Sequence, residues 1–217
     1  MAPKMTSEQW DEEAKTNIRL VPKYGHVAKS AEQLKADSEF ISTALRQDTT
    51  NRKASNHLIM LGFRYLLRDV RTAMYRFNQA YLLDSTNSDI YWGYGAVYMT
   101  IGEYANAEKQ YLEGLAADPK NSRILTDYGT YFFAQWVLMP GVSEMNSKLD
   151  SAIFYMMKSY QLNNKDENTT FKLSSCYLYK GDCDSAWKFY DECKALGGHP
   201  ITEDYTNTLS QQCAPKK

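Results

Sequence analysis

Histidine is scarce: His26, His57 and His199 are the only three in 217 residues. No two of them share a motif, and neither H-E-x-x-H nor G-x-S-x-G occurs. Those absences exclude the familiar zinc-protease and α/β-hydrolase constellations. No glycine-rich loop ends in Lys-Ser or Lys-Thr, so a P-loop phosphate cradle is missing too. The four cysteines form no C-x2-C pair, which argues against a zinc ribbon. The formal net charge of -1 leaves no basic excess to hold nucleic acid. No apolar run approaches the ~18 residues that read as a membrane span. The opening MAPKMTSEQWDEE has neither the basic start nor the apolar core of a signal peptide. Ala2 stands where myristoylation needs glycine, and the closing CAPKK is no prenylation box. The expectation is a non-catalytic protein with no cofactor and no metal.

Tyrosine, by contrast, is abundant, with 17 residues. The stretch YWGYGAVYMTIGEYANAEKQYLEGLAADP holds five of them, plus one tryptophan and four glycines. Its spacing is Tyr91-x2-Tyr94-Gly95-x2-Tyr98, then Ala107-x3-Tyr111, then Pro119. The same spacing recurs as Leu58-x2-Leu61-Gly62-x2-Tyr65 with Ala73-x3-Phe77, and as Leu125-x2-Tyr128-Gly129-x2-Phe132 with Ala152-x3-Met156. A further copy reads Thr170-x2-Leu173-Ser174-x2-Tyr177 with Ala186-x3-Tyr190. Gly95 to Gly129, Ala73 to Ala107 and Ala152 to Ala186 are each 34 residues. Within each copy, apolar residues fall at i, i+3, i+4 and i+7, the signature of two amphipathic helices. Asp69, Gly102 and Gly181 sit where the first helices should end. Tyr91, Tyr94, Tyr98, Tyr104 and Tyr111 are expected mainly in the core.

These residues resemble the tetratricopeptide repeat family, with its period of 34 and its W-x2-L-G-x2-Y…A-x3-F…P pattern. The resemblance implies an all-α fold: a right-handed α-solenoid of antiparallel helix pairs with capping helices at both ends. On that reading residues 1–29 are a partly extended arm with a short helix near Ser7 to Thr16. Residues 30–50 are a half-repeat capping the N-terminal edge. The four repeats occupy 51–87, 88–121, 122–166 and 167–200, and 201–217 form a closing helix and tail. Gly129 and Ala152 are 23 residues apart against 12 for Gly95 and Ala107, so the third repeat carries 11 extra residues around 136–147. Its first helix should run to about Leu138, break at Pro140-Gly141, and give way to a second helix N-capped by Ser147. Insertions of this kind map to one face of a repeat array, which makes Trp136 and Met139 candidate contacts. Packing on a neighbouring helix is the alternative for this segment.

The closing helix, about Thr202 to Gln212, should return antiparallel to the helix that begins near Asp182. Cys183 and Cys213 then lie 15 residues either side of a turn centred near 198. At ~1.5 Å per residue they share a height, so a Cys183–Cys213 disulfide is expected. Cys176 and Cys193 fall at different heights and are expected as buried thiols. A disulfide favours an oxidising, extracytoplasmic compartment, with a reduced cytoplasmic protein as the alternative.

By similarity to the family, a groove is lined by the first helix of each repeat. Carried over position by position, it comprises Ile59, Phe63, Leu66, Asp89, Trp92, Met99, Arg123, Phe133, Phe171 and Tyr179. Chaperone-tail adaptors of the family carry Lys and Asn where this chain has Ile59 and Phe63, or Trp92 and Ala96, so that ligand is not expected. The groove reads as apolar and aromatic, suited to a peptide or helix of a partner protein. Two alternatives stand beside partner binding. The arm from Ile18 to Val27 folds back and fills the groove, or the chain is a subunit of an envelope, secretion or pilus-type assembly bound through the insertion or the outer face. The segment NSRILTDYG also resembles pilus-assembly lipoproteins that carry such repeats.

Overall fold

A computed structural model describes residues 5–138 and 146–214. Among these residues the chain is helical throughout, with no strand. It divides into two compact units, Met1–Pro119 and Lys120–Lys217. The first holds α1 (Ser7–Ala14), two 3-10 turns (Ile18–Leu20 and Pro22–His26), α2 (Ala31–Gln47), α3 (Asn51–Tyr65), α4 (Val70–Leu83), α5 (Asp89–Ile101) and α6 (Tyr104–Ala117). The second holds α7 (Ser122–Leu138), α8 (Asn146–Leu162), α9 (Glu167–Lys180), α10 (Cys183–Leu196) and α11 (Glu203–Gln212). Within the units the helices pair as α3 with α4, α5 with α6, α7 with α8, and α9 with α10.

Three of the four pairs close because one partner lacks a side chain where the other brings a large one; in α9 and α10 the Ser174 hydroxyl donates to the Ala186 carbonyl instead. A Cβ added to Gly62 or to Gly93 would lie 2.4 Å from the Phe77 ring, so this one ring fills space left by two glycines. Gly95 does the same for Tyr111, at 2.2 Å. In the second unit an added Cβ on Gly129 would meet Met156 at 2.6 Å and the Ala152 carbonyl oxygen at 2.9 Å. Tyr94, Tyr98 and Tyr111 are buried, whereas Tyr91 and Tyr104 are half-buried.

Helix ends follow local chemistry. Gly102 and Gly181 terminate α5 and α9 in the left-handed conformation, with φ of 86° and 79°. Asp69 does not end α3, which stops at Tyr65; its carboxylate accepts from the Thr72 amide and N-caps α4. The hydrogen bond from the Thr72 hydroxyl holds the Asp69 carboxyl below its usual range, and one from Ser185 does the same at Asp182, the N-cap of α10. Ser147 is likewise no cap: α8 begins at Asn146, leaving Ser147 inside its first turn. Trp136 lies on α7, while Met139 falls outside the described residues.

α11, N-capped by Thr202, closes the second unit. Leu209 is fully buried, the Tyr205 and Ser174 hydroxyls are 2.6 Å apart, and the Trp187 indole donates to the Cys213 carbonyl at 2.7 Å. Cys183 and Cys213 are joined by a disulfide with Cα atoms 5.3 Å apart. Cys176 and Cys193 are buried free thiols, and burial pushes the Cys176 thiol up to about 12. α2, expected as a half-repeat on the N-terminal edge, touches both α3 and α4. It contributes no buried residue, and Gln33, Ala36, Asp37 and Phe40 line a cavity of about 290 Å³ shared with Gln79 and Leu82 of α4 and with the arm.

The packing sets two expectations for stability. Cys213→Ser should destabilise the second unit by about 3–4 kcal/mol, the loop-closure effect for a span of this length; thermal melts with and without reductant will read it. Gly129→Ala should cost more than about 2 kcal/mol, because the backbone oxygen of Ala152 cannot rotate away from the new methyl as a side chain could. Denaturant titration against Ser151→Ala, at a half-buried position of α8, will separate close approach from helix propensity.

Candidate interaction surface

A polar residue buried at the middle of α4 decides where the N-terminal arm goes. Asn78 is fully buried, and its amide donates to the Arg19 carbonyl at 2.8 Å and the Val21 carbonyl at 3.0 Å. Its side-chain oxygen accepts from the Tyr94 hydroxyl at 2.7 Å, and that hydroxyl accepts from the Lys23 amide at 3.1 Å. Burial pushes the Tyr94 hydroxyl well above its usual value, so it stays a neutral donor. Leu20 and Tyr24 of the arm are buried, Trp10 is buried edge-on to Tyr98 of α5, and Asn17 donates to the Tyr75 hydroxyl of α4 at 2.9 Å. Arg71 of α4 grips both carboxylate oxygens of Glu13. Lys23 adds an ion pair to Glu113 of α6 at 2.5 Å and lies over the Tyr91 ring. Burial opposes the Lys23 charge, but the hydrogen bonds to Glu113 and Tyr91 outweigh it and hold the ammonium above its usual value.

These contacts hold an uncommon backbone. Lys23, Tyr24, Gly25 and His26 have φ of 57°, 55°, 65° and 54°, a left-handed turn. Non-glycine residues enter that region at a cost of roughly 1–2 kcal/mol each, so the turn persists only because its surroundings fix it. The arm is therefore held by α4 and α6 and also by the first helix α5, through Tyr91, Tyr94 and Tyr98. Sequence reading missed this. The available signal was Asn78 itself, an amide one residue after Phe77 on an otherwise apolar face.

On the first-helix face of the first unit, Phe63 of α3 and Trp92 of α5 stack with centroids 3.8 Å apart, and both are half-buried. Leu66 and Met99 are half-buried too, and neighbouring Leu67 is 89% exposed. Asp89 is the first residue of α5, its amide bonded to the Asn87 side chain. Ile59, expected in the groove, is only 2% exposed and belongs to the core. In the second unit Phe133 and Trp136 of α7 and Tyr179 of α9 form one aromatic cluster, with centroids 5.1–5.7 Å apart. Tyr179 is 51% exposed, and Val137 and Leu138 continue the exposed apolar surface along α7. Phe171 packs edge-on against Tyr205 of α11 at 4.9 Å, so the closing helix shares its ring. Arg123 is exposed near the start of α7. Among the described residues no three His, Cys, Asp or Glu side chains are placed to hold a metal ion, and no helix is long and apolar enough to cross a membrane.

The helix pairs can be compared directly with a solved array. TTC0263, a thermophilic tetratricopeptide-repeat protein of Thermus thermophilus, superposes with a TM-score of 0.60 over 73% of this chain and 80% of its own, at 14% identity. The chain has the tetratricopeptide-repeat fold. The type IV pilus assembly protein PilF of Pseudomonas aeruginosa is 29% identical over 92 residues, 42% of this chain. The chain spans 36% of that relative's length. A solved structure of Pseudomonas aeruginosa PilF aligns at 21% identity over 75% of this chain and 90% of its own, with a TM-score of 0.39. No family model matches the sequence.

Asn78→Ala should strip two backbone carbonyls and a buried hydroxyl of their partner, at about 1–3 kcal/mol for the first group left unsatisfied. The expected result is faster amide exchange across residues 18–26 with α5 and α6 unchanged, read by hydrogen-exchange mass spectrometry.

Proposed function

We propose that the protein is a non-catalytic interaction module that holds a peptide or helix of a partner protein on its first-helix surface. The observation that carries this reading is the Phe133–Trp136–Tyr179 cluster, three aromatic rings on two first helices with half of Tyr179 open to solvent. Aromatic side chains in contact offer large rigid area at little entropic cost, and such residues dominate binding energy at protein interfaces. Phe63 and Trp92 supply a second stacked pair of the same chemistry in the first unit.

A second reading, an assembly subunit of an envelope, secretion or pilus-type complex, is favoured by the 29% identity to a pilus assembly protein. The two readings are compatible, because an assembly factor works by holding partners. The Cys183–Cys213 bridge supports an extracytoplasmic setting, where disulfides persist.

The test is capture of partners from whole-cell and membrane extracts by wild type and by a Phe133→Ala/Tyr179→Ala variant with an unchanged melting temperature. Loss of an aromatic anchor pair should weaken the partner by more than about 2 kcal/mol, roughly thirtyfold in Kd. A partner retained equally by the variant would remove the aromatic surface from the mechanism and leave the assembly reading with a different contact.

A further inference from the structure

Repeat 1 and repeat 2 are related by 33 residues along their first helices, so each position of α5 has a counterpart on or just beyond α3. On α5 the positions Ile90, Gly93, Tyr94, Val97, Tyr98 and Ile101 are all buried. The preceding second helix, α4, packs against α5, with its Phe77 ring pressed on Gly93 and edge-on to Tyr94. The counterparts in repeat 1 are His57, Met60, Leu61, Arg64, Tyr65 and Arg68. Among the described residues α2 is the helix that precedes them in the position of a half-repeat; it touches α3, with its C-cap Asp48 at His57, but buries none of its own residues and leaves most of this edge exposed. Met60 is 53% exposed, and His57, Arg64, Tyr65 and Arg68 are exposed as well.

The chemistry of this open edge is specific. Three positions that are Ile, Val and Ile on α5 become His57, Arg64 and Arg68, while Met60, Leu61 and Tyr65 keep an apolar stripe between them. From Asn51 to Leu83 the chain carries six Lys and Arg against a single acidic residue, Asp69. Arg52 and Arg71 spend their charge on Asp84 and Glu13, and His57 contacts Asp48. Arg64 and Arg68 have no acidic partner among the described residues. A solenoid end built only for solubility carries a polar outer face, as α11 does with Glu203, Asp204, Asn207, Ser210 and Gln211 exposed. The N-terminal edge instead combines an apolar stripe with unanswered cations.

We propose that this edge is a second docking surface, distinct from the aromatic cluster, and that its occupant is an amphipathic helix of a partner protein with an apolar stripe flanked by Asp and Glu. The helix would lie on α3 as α4 lies on α5, its apolar stripe on Met60, Leu61 and Tyr65 and its carboxylates on Arg64 and Arg68. A second copy presenting the same edge is disfavoured, because it would set Arg64 and Arg68 against their own equivalents.

The experiment uses the full chain and two synthetic helical peptides of identical leucine stripe, one flanked by Glu and one by Lys, with binding followed by fluorescence anisotropy. The Glu-flanked peptide should bind at least tenfold tighter than the Lys-flanked one, and raising salt from about 50 to about 500 mM should erase most of that difference. Arg64→Glu/Arg68→Glu should reverse the preference, with the melting temperature unchanged because both side chains are exposed. Phe133→Ala/Tyr179→Ala should leave this binding intact, which separates the edge from the first-helix surface. Equal affinity for the two peptides, no binding of either, or a preference unaffected by the Arg substitutions would overturn the proposal. So would concentration-dependent self-association by sedimentation that the Arg substitutions abolish, since the occupant would then be another copy.

Discussion

Three of the four helix pairs depend on a large side chain seated where the facing helix has a glycine. Phe77 occupies the space left by Gly62 within its own pair and by Gly93 in the next, so a single ring sets two helix separations at once. Tyr111 on Gly95 and Met156 on Gly129 repeat the arrangement. Such a contact is intolerant of even one methyl group, because close-packed interiors have no slack to absorb it. Tyrosine serves the gaps between helices in a second way. An aromatic residue reaches across the gap between helices, and a phenol can end at a polar group when it does so, as Tyr94 does at Asn78.

The repeated spacing of small and large residues was therefore fully legible: it is the contact itself, written at a fixed period. Helix ends were legible where a glycine adopts the left-handed conformation, as at Gly102 and Gly181, and less so where an acidic residue can either follow one helix or cap the next. Asp69 was assigned to the end of α3 but bonds forward to Thr72, since a carboxylate in that position gains more from a free amide than from the carbonyls behind it. The Cys183–Cys213 juxtaposition was legible because rise per residue is a constant of the helix, and α10 and α11 return on each other symmetrically about their turn.

The arm was not legible, and the reason is physical. Its conformation is imposed by partners far along the chain, Asn78, Tyr94 and Glu113 among them, and not by local preference. Lys23, Tyr24 and His26 would not choose a left-handed turn by themselves, so no local rule announces it. Pro22 and Gly25 are helix breakers, but a break is silent about what the broken segment touches. The position of Ile59 was equally hidden. A motif position identifies the face a residue is born on, while its exposure depends on what else packs nearby.

α2 shows how a pattern can be right about secondary structure and silent about placement. Its apolar spacing makes a helix over Ala31–Gln47, as the half-repeat reading required. To cover α3 it would have to offer that edge something like the Phe77 that α4 offers Gly93. Yet the edge carries Met60 where α5 has Gly93, so the seat for such a ring is filled from the α3 side. It also carries Arg64 and Arg68 where α5 is aliphatic, and burying those charges without carboxylates would cost more than the apolar contact returns. On α2, Asp37 is held in an ion pair with Lys29, and Glu39 stands beside Lys35 one turn earlier. Arg64 and Arg68 therefore stay in water, and α2 meets α3 only where its C-cap carboxylate, Asp48, can face His57.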